Sequence, residues 1–162
     1  MPTTYTLANS PAEVVQRLLI ELAVATDPDL ATVLPWAAYF SREPDQGAPE
    51  SCITVYDTTG QADGRTFPDG ESVTHHGFQV RVRSTNARQG WVRADLIRDK
   101  FSRSVEANVV AVPASADTPA ATYLVHAVVR IGNVIAIGKD KPRTGRNLFT
   151  LNALLAGLRQ LT

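Results

Sequence analysis

The chain has 162 residues, no net charge, 44% hydrophobic and 20% charged residues, and one cysteine. That is the composition of a globular protein, long enough to bury one core, and a single domain over residues 1–162 is expected. No apolar run reaches the roughly 18 to 20 residues needed to cross a bilayer, and the lone Cys52 excludes an internal disulfide framework or a CxxC metal pair.

Met1 to Asn9 lacks the basic and apolar regions of a secretory signal, so the expected setting is a reducing cytoplasm or a particle assembled there. Charge is divided unevenly. Met1 to Val73 holds eleven acidic and three basic residues, a balance of −8, and Thr74 to Thr162 holds five acidic and thirteen basic, a balance of +8. Such a contrast fits either a polyanion partner or head-to-tail packing of identical subunits.

Ser10 to Ala25 reads as the first helix. Ser10 can cap it, Pro11 suits the first helical position and Glu13 completes a capping box. Val14, Val15, Leu18, Leu19 and Leu22 form its apolar stripe, and Thr26-Asp27-Pro28 stops it. Leu34 to Phe40 reads as a short strand and Ser41 to Glu50 as a loop. In Cys52 to Thr58, Ile53 and Val55 alternate with Cys52, Thr54 and Tyr56, as in a strand. Thr59 to Glu71, with Gly60, Asp63-Gly64, Pro68 and Asp69-Gly70, reads as a long mobile hairpin loop. Phe78, Val80 and Val82 alternate with Gln79, Arg81 and Arg83 in a half-buried strand.

A second helix is expected over Ala87 to Asn108, capped by Thr85 or Asn86. Trp91, Ala94, Ile97, Phe101 and Val105 form its inner stripe, leaving Val92 and Leu96 on an exposed face. Ala111 to Ala120 reads as a linker. Thr122 to Ile131 and Val134 to Ile137 are β-branched runs joined by Gly132-Asn133, a hairpin signal. Lys139 to Arg146 is a basic loop, and Leu148 continues as a strand through Asn152. The order α-β-β-β-α-β-β-β predicts an α+β fold, a mostly antiparallel sheet with two helices on one face.

Catalytic signatures are missing: the chain holds no GxxxxGK[ST], GxGxxG, GxSxG or HExxH. His75 and His76, adjacent on an extended segment, point to opposite faces and do not chelate one metal together. Cys52 reads as a small buried hydrophobe. The six-residue spacing of Asp57, Asp63 and Asp69 does not fit a compact calcium loop. No catalytic, cofactor-binding or metal residue is therefore assigned. The remaining candidates are contact residues, facing a neighbouring subunit or DNA: Arg81 and Arg83 on one strand face, Val92 and Leu96, and Lys139, Lys141, Arg143 and Arg146. No aromatics interleave with the loop charges as a single-strand groove would require, and the pI of 6.8 is low for nucleic-acid recognition.

The arrangement resembles the tail terminator (minor capsid) proteins of long-tailed bacteriophages. The resemblance is carried by the N-terminal helix, Trp36 to Phe40, Pro44-Asp45 before the strand Ile53 to Thr58, and the Gly60 loop. It continues through Phe78 to Arg83 with Ser84, the helix from Gly90, and Gly145-Arg146-Asn147-Leu148-Phe149-Thr150-Leu151-Asn152. It implies a non-enzymatic assembly protein without cofactors: a homo-oligomeric ring, a hexamer, at the head-proximal end of the virion tail. Its partners would be the major tail tube protein and a head-completion or connector protein. Genomic DNA would pass without being read, and no membrane is involved. The competing reading is a DNA-binding accessory protein using the basic loop.

Overall fold

The computed structural model describes residues 7–30, 32–43, 49–65, 72–140 and 145–161. Helix α1 (Pro11–Glu21) begins as its sequence dictates: Ser10 Oγ accepts from the Glu13 amide at 3.2 Å. The Glu13 carboxylate takes the Asn9 side-chain amide at 2.9 Å, so only half of the capping box forms. The helix ends four residues earlier than expected. Ala23 adopts φ 56°, and the amides of Val24 and Ala25 both turn back to Leu19 O.

Strands β1 (Ala37–Phe40), β2 (Cys52–Arg65) and β3 (Ser72–Ser84) precede helix α2 (Ala87–Arg103). After it come β4 (Asn108–Val112), β5 (Ala121–Val125), β6 (Ala127–Val129), β7 (Ile135–Lys139), β8 (Asn147–Ala156) and β9 (Arg159–Leu161). The larger sheet runs β1-β2-β3-β8, with β6 and β7 both paired to β8; β1 and β2 are parallel and the other pairs antiparallel. Register places Ile53, Val82 and Phe149 in one row and Val55, Val80 and Leu151 in the next, all buried. This face packs against both helices. Phe101 of α2 meets Phe78 edge-on at 5.5 Å, and Gly90 lets α2 approach Phe149. The fold is α+β, as the sequence predicts.

Further expectations are corrected, beginning with α2, which ends at Arg103 rather than Asn108. Thr59 to Arg65 is strand rather than loop: β2 and β3 continue to pair, absorbing the glycines in bulges between Thr58 and Gln61 and between Ala62 and Arg65. At the first bulge a Cβ on Gly77 would lie 2.3 Å from Thr59 O, and one on Gly60 2.4 Å from His75 O. Residues 66–71, the last part of the expected mobile loop, lie outside the described residues. Gly132-Asn133 does not turn a hairpin. β6 and β7 instead run in sequence along the same edge of β8, with Gly132 N donating to Asn152 O at 2.8 Å between them. The expected linker begins late, because Asn108–Val112 forms β4. Trp91 is half-exposed rather than on the inner stripe, which is carried by Ala94, Ile97 and Phe101.

A smaller sheet, β4-β5-β9, covers the other side of α1, its Val110, Val112, Tyr123 and Val125 joining the same core. The Tyr123 hydroxyl accepts from Asn9 N at 2.9 Å and donates to Asn9 Oδ1 at 2.8 Å, tying this sheet to the entry of α1. The two sheets share a corner. Leu124↔Arg159 and Ala127↔Ala156 keep one register across it, so His126 faces Gly157. Gly157 adopts φ 66°, and a Cβ there would lie 2.7 Å from the His126 ring.

Candidate assembly surfaces

The face of the larger sheet turned away from the helices carries Cys52, Thr54 and Tyr56 of β2, Gln79, Arg81 and Arg83 of β3, and Thr150 and Asn152 of β8. Ser41, at φ 58°, turns the chain after β1, and its amide donates to Val55 O at 2.8 Å. That turn brings Glu43 over this face. Its carboxylate lies 3.2 Å from Arg83 Nη1 and 3.7 Å from Arg81 Nη1. Arg81 also lies 5.0 Å from the centre of the Tyr56 ring, a cation–π contact. Two guanidiniums thus share one carboxylate. The side chain of Arg83 is only 4% exposed, covered by the chain itself, whereas Arg81 is half-buried. Beside them, burial pushes the Cys52 thiol up to about 11, which removes the thiolate needed for nucleophilic chemistry.

A second surface lies along α2. Val92 and Leu96 are 58% and 37% exposed. With Trp36, Arg88, Gln89 and Arg93 they line an open groove of about 430 Å³. The Arg93 guanidinium sits 4.8 Å from the centre of the Trp36 ring and donates to Val24 O at 3.0 Å. Burial lowers its pKa. Sequence reading found Val92 and Leu96 but missed Trp36 and Arg93. The available signals were Pro35-Trp36 ahead of a strand and Arg93 one helical turn from Leu96. Trp91, the residue before Val92 in α2, meets Phe149 edge-on at 6.1 Å.

The third surface is the edge formed by β7. All five of its residues are exposed, Ile135 and Ile137 among them. β7 leads into the basic loop, which is closed by Asp140 N donating to Arg146 O and Gly145 N donating to Asp140 O, both at 2.8 Å. Lys139 is exposed and Arg146 half-buried. Lys141 and Arg143 lie outside the described residues, as do Pro44 and Asp45. The structure therefore separates the sequence candidates into three places: Arg81 and Arg83 under Glu43, Val92 and Leu96 on α2, and Lys139 and Arg146 at the end of β7 and the loop after it.

Among the described residues no group of three or more His, Cys, Asp or Glu side chains could hold a metal ion. No helix among them is long and apolar enough to cross a membrane. Burial lowers the pKa of His76, opposed by Asp57 and reinforced by His75.

No curated protein matches the chain. A family model described as bacteriophage tail terminator protein matches residues 18–116, from the middle of α1 to the end of β4 and just beyond. The match covers well over half of the 162 residues and ends before the C-terminal Arg146 to Asn152 segment. The chain belongs to the bacteriophage tail terminator family.

Proposed function

We propose that this protein assembles as a closed ring of six subunits that caps the phage tail tube, ends its polymerisation and presents the surface to which the head is joined. The observation that carries this reading is the family match over residues 18–116. Two exposed apolar pairs, Val92 with Leu96 on α2 and Ile135 with Ile137 on β7, support it, since exposed apolar patches mark contact surfaces. The ring acts without catalysis. It sits at the head-proximal end of the tail, assembled in the host cytoplasm, contacting the tail tube protein on one side and a head-completion protein on the other. Genomic DNA passes through its lumen without sequence recognition. Arg81 and the basic loop, Lys139, Lys141, Arg143 and Arg146, act through charge alone.

Native mass spectrometry over a concentration range, with and without purified tail tubes, tests this. A six-subunit species, or a six-subunit cap on tubes of fixed length, is expected. A protein that stays monomeric with tubes present and leaves tube length unchanged would overturn it.

A further inference from the structure

Along the exposed face of α2, Arg88, Val92 and Leu96 follow one another at four-residue steps. They form one row, about 12 Å long at roughly 1.5 Å per residue. Gln89 and Arg93 form the next row, and the Trp36 ring stands against the Arg93 guanidinium at 4.8 Å. Trp36 holds φ 66°, a left-handed conformation that a bulky residue rarely adopts. Its backbone is fixed there on both sides, the amide donating to Ser51 O at 2.8 Å and the carbonyl accepting from Thr26 N at 3.0 Å. Strained backbone of this kind clusters at ligand-holding surfaces. Here it sets an aromatic wall beside a row of exposed apolar side chains.

A four-residue row is the ridge that a second helix packs against, so the occupant that fits is a helix. Its charge follows from α2, which carries five basic and two acidic residues. Both acids are already engaged, Asp95 with Arg98 at 2.8 Å and Asp99 with Arg103 at 2.7 Å. Arg88, Arg93 and Lys100 form no ion pair among the described residues. The groove lining holds Arg88 and Arg93 and no acid. Two copies meeting α2 to α2 would set like charges together. The other described helix, α1, packs its apolar residues against the core and has none to offer. The described helices of a second copy therefore do not supply the occupant.

We propose that the α2 groove takes an acidic amphipathic helix of a partner protein, its apolar side chains against Val92, Leu96 and Trp36 and a carboxylate on Arg88. Burial of the apolar row supplies affinity, and the charge-assisted contact to Arg88 sets which helix is accepted. The proposal goes beyond the ring reading, since a single copy presents the complete groove.

A synthetic amphipathic peptide of roughly 18 residues, about five helical turns, with a leucine face flanked by glutamates, tests this. Its counterpart carries lysine at every glutamate. The Trp91→Phe variant leaves Trp36 as the sole tryptophan, so its emission reads the groove itself. The acidic peptide should shift that emission, bind more weakly as salt rises, and bind at least ~10-fold more tightly than the lysine peptide. Arg88→Glu, at an exposed position, should stay folded, bind the acidic peptide at least ~10-fold less tightly and prefer the lysine peptide. Val92→Ser should weaken the acidic peptide without reversing the charge preference. Absence of binding, equal binding of the two peptides, or binding that neither variant changes would overturn the proposal. Self-association of the wild type that Leu96→Glu abolishes would show that a second copy covers this face, and would overturn it too. Ring formation is read separately, by native mass spectrometry.

Discussion

Arg83 and Glu43, forty residues apart in the chain, meet at 3.2 Å on the helix-free face of the sheet, with the arginine side chain almost fully buried. Removing the carboxylate takes this opposite charge away from a buried guanidinium, a change that costs about 3 kcal/mol or more when a pair is fully enclosed. Glu43 retains 21% exposure, which lets water soften the loss. Glu43→Ala should therefore lower stability by about 1 to 3 kcal/mol in urea unfolding. Replacing both residues, Glu43→Gln with Arg83→Met, should recover most of the loss, because the buried charge is then gone and only the half-buried Arg81 loses its carboxylate.

Gly90 should resist the usual gain from alanine in a helix. A Cβ there would lie 2.6 Å from Phe149 Cε2 and 3.1 Å from Ser84 Cβ. Alanine normally gains about 1 kcal/mol over glycine in a helix interior, but overpacking against a buried ring costs about 1 to 3 kcal/mol. Gly90→Ala should come out destabilising, read as a lower melting temperature with α-helical content unchanged.

At the corner between the sheets, two effects oppose any side chain on Gly157: its φ of 66° and the His126 ring 2.7 Å from the added Cβ. Gly157→Ala should cost about 1 to 3 kcal/mol. Adding His126→Ala removes the collision and leaves the backbone strain, so the double variant should recover part of the loss in a double-mutant cycle. Full recovery would mean the left-handed backbone contributes nothing.

Leu96→Glu should leave the melting temperature within a few degrees of wild type, since the position is exposed and exposed substitutions usually stay within about 0.5 kcal/mol. It should reduce ring assembly or tube capping if the α2 groove faces a neighbour. A sharp fall in melting temperature would show instead that Leu96 supports the fold.

Cys52 predicts an alkaline transition. Its folded pKa lies near 11 against an ordinary 9.0, because burial disfavours the thiolate. The folded state thus holds this proton more tightly. The associated stability is fully present below pH 9 and is lost progressively as pH rises toward 11. Cys52→Ala should flatten part of that decline, with the rest carried by Tyr39, Tyr56 and Tyr123, whose pKa values burial also raises. Thiol reagents should label Cys52 at the rate of unfolding.

What the sequence determined by itself were the features set by neighbours along the chain. The Ser10 and Asn86 caps follow from one side-chain oxygen and an amide three residues on. The alternation of Phe78, Val80 and Val82 follows from the two-residue period of a strand, and the exposure of Val92 and Leu96 from the helical period. The family resemblance was legible for the same reason, because its pieces follow one another in order. Tertiary structure decided what depends on distant partners. Gly60, which alone signals a turn, became a bulge because Gly77 across the ladder admits a close backbone approach. Gly132-Asn133 became an interruption in an edge strand because β8 offered both segments the same partner. Arg81 and Arg83, two like charges on one strand, became a shared site only when the turn at Ser41 carried Glu43 over them. Periodicity records which side of an element is apolar, and it carries no record of which distant group will arrive to cover the other side.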